Sequence, residues 1–300
     1  MLLFVLVGSQ ISYAQEATDT PDAGWVVMES CKDSVPDGRA DAIAYISDED
    51  GTQQIYTMDI EGKHQQKISK LVNAYIEDLD WSPNGKQMAF TNNQHIYRLN
   101  IDLQAATQLT VNPRGDYHPA WSMDGRYIAY VTTRSGPYDI WVMKPNGANI
   151  GLLTYDPRWE LTVRWSPDGD GFGYIPNSGA NLQLWVEKDG RDDIFMNFSE
   201  DDNGVFHTLT DFRWSPDGQY FSLLSNFGAY IVGIDGTNLR KIADEDSFAD
   251  DSAPSWSPDS CHLVFRIKAE GRGGIYIMDL YDGHIHQITD QFGRNPVWKP

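Results

Sequence analysis

The chain has 300 residues, 41% of them hydrophobic and 12% aromatic, and a formal net charge of −20 at pH 7. That hydrophobic share sustains a packed core and excludes a disordered chain. The charge excludes nucleic acid and anionic membranes as partners, because phosphate binding needs clustered Lys and Arg, and it suits solubility outside the cell.

At the N-terminus, Leu2 to Val7 is a short apolar run, and Ser12-Tyr13-Ala14 places small residues two apart. The pattern resembles a secretory signal peptide over residues 1–14, cut after Ala14, although no Lys or Arg precedes the run. A secreted or periplasmic protein is therefore expected. The run falls far short of the ~20 residues that span a bilayer, and no other segment qualifies, so no membrane insertion is expected. Residues 15–38 read as a polar lead, and the folded domain is expected over 39–300.

The first folded unit has three β-type runs: Ala42 to Ile46, Ile55 to Met58 and Lys67 to Ser69. Then a motif begins to recur. It reads Trp81-Ser82-Pro83-Asn84-Gly85, Trp121-Ser122-Met123-Asp124-Gly125, Trp165-Ser166-Pro167-Asp168-Gly169, Trp214-Ser215-Pro216-Asp217-Gly218 and Trp256-Ser257-Pro258-Asp259-Ser260, and it ends clipped at Trp298-Lys299-Pro300. The tryptophans lie 40, 44, 49, 42 and 42 residues apart, a period that signals a repeat architecture. After each turn come short aromatic and β-branched runs such as Ile128 to Val131 and Ile140 to Met143, separated by turn clusters such as Asn146-Gly147 and Asp282-Gly283. These are strands and hairpins. Pro at the second position and Gly after it suit a type I turn.

Four strands per unit, repeated six times, predict an all-β fold: a six-bladed β-propeller of four-stranded antiparallel blades. The first unit lacks a tryptophan strand, and Pro296-Val297-Trp298 supplies a surplus one. The C-terminal strand is therefore expected to pair in the first blade and close the ring, which protects its edges. The recurring tryptophan is expected to fill the wedge between blades.

The two cysteines are Cys31, in the lead, and Cys261, where other repeats have Lys86, Arg126, Asp170 and Gln219. In a closed ring the lead neighbours the last blade. A disulfide is geometrically open to them and favoured by an oxidising compartment, and two unpaired thiols are the alternative. No His/Cys spacing for zinc occurs, and no metal or cofactor is expected.

Trp-Ser-Pro-Asp-Gly, followed by strands such as Ile55-Tyr56-Thr57-Met58-Asp59 and Ile275-Tyr276-Ile277-Met278-Asp279, is similar to the WD-like repeat of the TolB-type propeller family. The resemblance covers about residues 40–300. It implies a periplasmic setting and a protein partner. TolB carries an α/β domain ahead of its propeller, and the lead here is expected to be too short to hold one. Prolyl-oligopeptidase-like hydrolases share the propeller, but no Gly-x-Ser-x-Gly nucleophile elbow occurs here. Oligogalacturonate-lyase-like enzymes use a related propeller with a metal, and their ligand set does not map onto this chain.

Propeller ligands sit at the channel mouth, on loops entering the innermost strands. Those loops hold the candidate ligand-binding residues Glu77, Asp78, Tyr117, His118, Arg158, Trp159, Glu160 and Arg294. Acids, arginines and aromatics in one ring suit a peptide held by hydrogen bonds and stacking, with ordinary solvated loop residues as the plain alternative. No catalytic residue is identified. The expected function is a monomeric, exported, non-enzymatic module docking a protein or peptide at the mouth. A carbohydrate-binding or oligosaccharide-lyase-like propeller is the alternative.

Overall fold

A computed structural model describes residues 28–134, 136, 138–154, 159–177, 182–188, 191–198, 209–226, 228–244, 252–269, 272–290 and 293–300. Its first three strands are β1 (Ile43–Ser47), β2 (Gln54–Met58) and β3 (Gln66–Lys67). The second blade is β4 (Ile76–Trp81), β5 (Gln87–Asn92), β6 (His95–Asn100) and β7 (Ala105–Gln108). The third is β8 (Asp116–Trp121), β9 (Ile128–Thr132), β10 (Asp139–Met143) and β11 (Asn149–Leu152). The fourth is β12 (Trp159–Trp165), β13 (Gly171–Asn177), β14 (Leu182–Lys188) and β15 (Arg191–Phe198). The fifth is β16 (Leu209–Trp214), β17 (Tyr220–Ser225), β18 (Gly228–Gly233) and β19 (Arg240–Asp244). The sixth is β20 (Ser255–Trp256), β21 (His262–Ala269), β22 (Arg272–Asp279) and β23 (Ile285–Thr289). The last strand, β24 (Arg294–Trp298), returns to the first blade and pairs antiparallel with β1, setting Ile43 opposite Trp298. The six-bladed ring and its closure are as the repeat count predicts.

The motif tryptophans occupy the wedges. Trp81 packs on Ala44, Ile46 and Val297 of the first blade, and Trp121 on Ala89 and Ile96 of the second. Trp165 and Trp214 join the clusters shared with the preceding blade in the same way. Trp256 and Trp298 complete the set against the fifth and sixth blades. An indole so placed removes about 150–250 Å² from water, roughly 4–6 kcal/mol gross. Polar bonds sew the same seams. The Trp165 indole N–H donates to the Ala120 carbonyl at 3.2 Å, and the Trp298 backbone N–H donates to the Ser255 hydroxyl at 3.1 Å.

The serine and aspartate of the motif lock the turn. The Ser166 hydroxyl donates to Asp168 and accepts the Gly171 N–H at 3.0 Å, while Asp168 accepts the Asp170 N–H at 3.1 Å. The same triad recurs at Ser122, Asp124 and Tyr127, and at Ser82, Asn84 and Gln87. Glycine closes the turn with positive φ, +70° at Gly125, and a β-carbon there would meet Pro83 of the preceding blade at 3.5 Å. Successive turns thus nest against each other on the face away from the loops that enter the innermost strands.

The lead is tied to the sixth blade. Cys31 and Cys261 are joined by a disulfide, with Cα atoms 5.3 Å apart, and both are buried. The Met28 N–H donates to the Leu280 carbonyl at 3.2 Å, and the Ser34 hydroxyl donates to the Asp259 carboxylate.

Candidate functional site

The innermost strands β4, β8, β12, β16 and β24 each carry a register shift just before their tryptophan. In three of them the residue three positions before the tryptophan has left-handed backbone: Asp78 at φ +51°, His118 at +50° and Asn295 at +48°. Such angles are uncommon outside glycine, and Asn, Asp and His tolerate them best. The bulge interrupts the pleat and re-aims these side chains.

Asp78 and His118 meet. The His118 Nδ1 lies 3.0 Å from Asp78 Oδ1, so the imidazole and the carboxylate act directly on each other. Behind them is an ion cluster. Arg164 donates to both oxygens of Asp211, at 3.0 and 3.2 Å. Asp211 also accepts the Ala253 N–H at 2.9 Å, and Arg213 donates through Nε to the Ala253 carbonyl at 3.2 Å. Asp80 accepts the Trp121 N–H at 2.6 Å. Asp78, Arg164, Asp211 and Arg213 are all buried, whereas His118 stays 32% exposed along its side chain.

Electrostatics couple these groups across the ring. Burial opposes the Asp78 charge, but His118 and then Arg164 outweigh it and hold the carboxyl down to about 2. Burial likewise opposes a charged His118, and Asp78 outweighs it, with Asp211 adding, so its pKa is raised. Burial pushes Asp80 up against the pull of Arg164. Burial and Arg164 together bring Arg213 down.

The other predicted residues separate. Tyr117 lies over Gly115 with its ring 6.3 Å from that of Tyr138, and burial, Tyr138 and Glu77 raise its phenol pKa. Glu77 is half-buried beside it. Glu160 points into structure: it is fully buried, and its Oε2 accepts the Ile140 N–H at 2.8 Å and the Thr154 hydroxyl at 2.6 Å, joining the third blade to the fourth. Arg294 opens β24, half-buried. Trp159 opens β12, its backbone paired with Asn177. Arg158 lies outside the described residues. Around the mouth, Val72 and Tyr75 precede β4 and Val111 precedes β8, exposed by 81%, 52% and 82%.

Sequence reasoning missed Asp80, Arg164 and Arg213. The signal was present: each directly precedes a motif tryptophan, where the other repeats have Ala120, Ser255 and Val297. A charge at a position otherwise small or apolar marks the cluster. Among the described residues no group of His, Cys, Asp and Glu is arranged to hold a metal ion.

Residues 79–204 match the family model of the TolB beta propeller domain. An uncharacterized protein of Agrobacterium fabrum is 31% identical over 121 residues, 38% of this chain and 40% of that relative's length. TolB from Acinetobacter baumannii superposes with a TM-score of 0.75 at 19% identity, over 89% of this chain and 68% of that one. A protein of Agrobacterium tumefaciens provisionally assigned as TolB gives 0.65 at 19% identity, over 85% and 91%. Residues 79–204 thus match the TolB propeller model, and over most of its length the chain shares the six-bladed propeller fold of these solved structures.

Proposed function

We propose that this TolB-like propeller is an exported binding module that docks a protein or peptide at its channel mouth. The observation that carries the reading is the apolar and aromatic rim, Val72, Tyr75 and Val111 exposed on the side where Tyr117 and Tyr138 pair. Isolated exposed apolar residues are ordinary, but several on one rim above a polar cluster suit a contact surface. The candidate residues Glu77, Tyr117, Trp159 and Arg294 lie on the segments that enter the innermost strands around that mouth.

Export rests on the signal-like segment 1–14 and on the Cys31–Cys261 disulfide, which favours an oxidising compartment. We place the folded domain at 39–300, behind the lead 15–38. No described helix is long and apolar enough to cross a membrane.

The test is co-purification from envelope and culture fractions with the wild-type chain, a Tyr75→Ala/Tyr117→Ala variant, and Met123→Ala on the opposite face. One specific partner, lost only with the rim variant, is the expected result. No partner, or equal loss in both variants, refutes the reading. A thermal-shift screen against oligosaccharides checks the alternative occupant, and a saturable shift there replaces the peptide with a glycan.

A further inference from the structure

Among the described residues, the outermost strand of every blade has no neighbour on one side. A free edge is a template for another chain unless something guards it: a very short strand, a charge, a proline or a bulge. Five blades show a guard. β3 is only two residues long. The ladders that hold β11, β15, β19 and β23 each carry a register shift, at Val142/Met143, Leu184/Trp185, Ala229/Tyr230 and Ile275/Tyr276. Such a shift bends the strand and breaks its even row of outward amides.

The second blade differs. Its β7 pairs with β6 without a shift, from Asn100 opposite Ala105 to Tyr97 opposite Gln108. The strand reads Ala105-Ala106-Thr107-Gln108, with no charge and no proline, and all four residues are exposed. The next amide, that of Leu109, donates inward to the Ile96 carbonyl at 2.8 Å. By the alternation of an antiparallel ladder, Ala106 and Gln108 then turn their N–H and C=O groups outward. Leu103 and Val111, just before and just after the strand, are exposed by 73% and 82%.

The charge around this edge runs against that of the molecule. From Trp81 to Gly115 the chain carries Lys86, Arg98 and Arg114 against one acid, Asp102, while the whole chain stands at −20. Arg98 lies on β6 directly opposite Thr107, and Arg114 is exposed beyond Val111. A second copy of this chain would bring like net charge against like, whereas an acidic segment meets cations here.

We propose that β7 is a strand-addition site, at which an extended, proline-free, acidic segment of a partner protein pairs with the outer edge of the second blade. Backbone bonds to Ala106 and Gln108 hold the segment, its apolar side chains cover Leu103 and Val111, and its carboxylates lie near Arg98 and Arg114. The site is on the flank of the ring and is argued from its own ladder, so it stands apart from docking at the mouth.

The experiment is a backbone-amide NMR titration of the full chain with a capped synthetic heptapeptide alternating valine and glutamate. Two control peptides are the same sequence N-methylated at every residue, which cannot donate to a ladder, and the sequence with lysine in place of glutamate. Saturable shifts of the Ala106 and Gln108 amides are expected, with binding at least about tenfold weaker for either control. Ala106→Pro removes an outward donor while leaving the bonds to β6, and should abolish the shifts. Ala105→Glu/Thr107→Glu leaves the backbone unaltered and should weaken binding by about tenfold through like charge, which keeps the test valid if the proline disturbs the fold. No shift at Ala106 and Gln108, or equal binding by the N-methylated peptide, overturns the proposal. Equal binding by the lysine peptide overturns the acidic partner. Shifts confined to the surroundings of Tyr75 and Tyr117 overturn strand addition and leave docking at the mouth intact.

Discussion

Removing the Cys31–Cys261 bridge should cost this protein far more stability than the few contacts of its lead suggest. The bridge links residues 230 apart in sequence. In the chain-entropy model, opening a loop of that length releases the unfolded ensemble by about 5.5 kcal/mol at 25 °C, an upper figure that measured disulfides usually undershoot at 2–5 kcal/mol. The folded ring, by contrast, retains its closure through β24 on β1 when the bridge is gone. The loss should thus fall on the unfolded state and on the lead, whose remaining ties include Met28 to Leu280 and Ser34 to Asp259. The assay is guanidinium unfolding of Cys31→Ala/Cys261→Ala beside wild type, with limited trypsin digestion at Lys32. The variant should keep the β-sheet circular dichroism of the native chain, unfold at a lower midpoint by the equivalent of about 2–5 kcal/mol, and be cleaved at Lys32 faster. A midpoint within about 1 kcal/mol of wild type would refute the entropic argument. Loss of the folded ring itself would refute closure by β24.

Three further outcomes test the packing and the charges. Gly62→Ala should lower stability by at least about 3 kcal/mol in the same unfolding assay, because Gly62 has φ +71° and an added β-carbon would lie 1.8 Å from the Ile288 carbonyl oxygen of the sixth blade. Asp211→Ala leaves Arg164 buried without its carboxylate and should cost about 3–5 kcal/mol, while Arg164→Met/Asp211→Leu should recover most of it; equal losses would deny the pair its burial. Asp78 is held down to about 2, below its unfolded value, so its contribution is present above roughly pH 4 and fades as the pH falls toward 2. His118 is raised, so its contribution is present below roughly pH 6.5 and fades as the pH climbs through its folded value. Stability against pH should therefore crest between these limits in wild type and flatten in Asp78→Asn, as thermal melts across pH would show.

The scaffold was legible because its tryptophan is written six times and its turn five. Within each full copy tryptophan, serine and the turn residues keep the same order, and each meets the same local demand: an indole for the wedge, a hydroxyl and an Asp or Asn side-chain oxygen for the turn, a glycine or its equivalent for the positive φ. Closure was legible from the unequal ends. The site was less so, because it is built from the positions where the repeats differ. Asp78 and His118 were found as mouth residues, yet the bulges that turn them toward each other have no signature in one sequence. Glu160 shows the converse. A carboxylate three places into a mouth loop reads as a ligand group, but a one-residue register shift between Glu160 and Thr162 and the bonds to Ile140 and Thr154 make it a tie between blades. Arg164 and Arg213 were passed over because strand residues beside a buried tryptophan are expected to be small or apolar.

The pairing of Ile43 with Trp298 sets a schedule as well as a shape. A chain made at about 5–20 residues per second needs roughly 13–50 s to travel from one to the other. Through that interval β1 keeps an inner edge with no neighbour, the kind of edge that recruits foreign strands. The blade that starts the molecule is the last to be finished, and the newborn protein is most vulnerable at its oldest sheet.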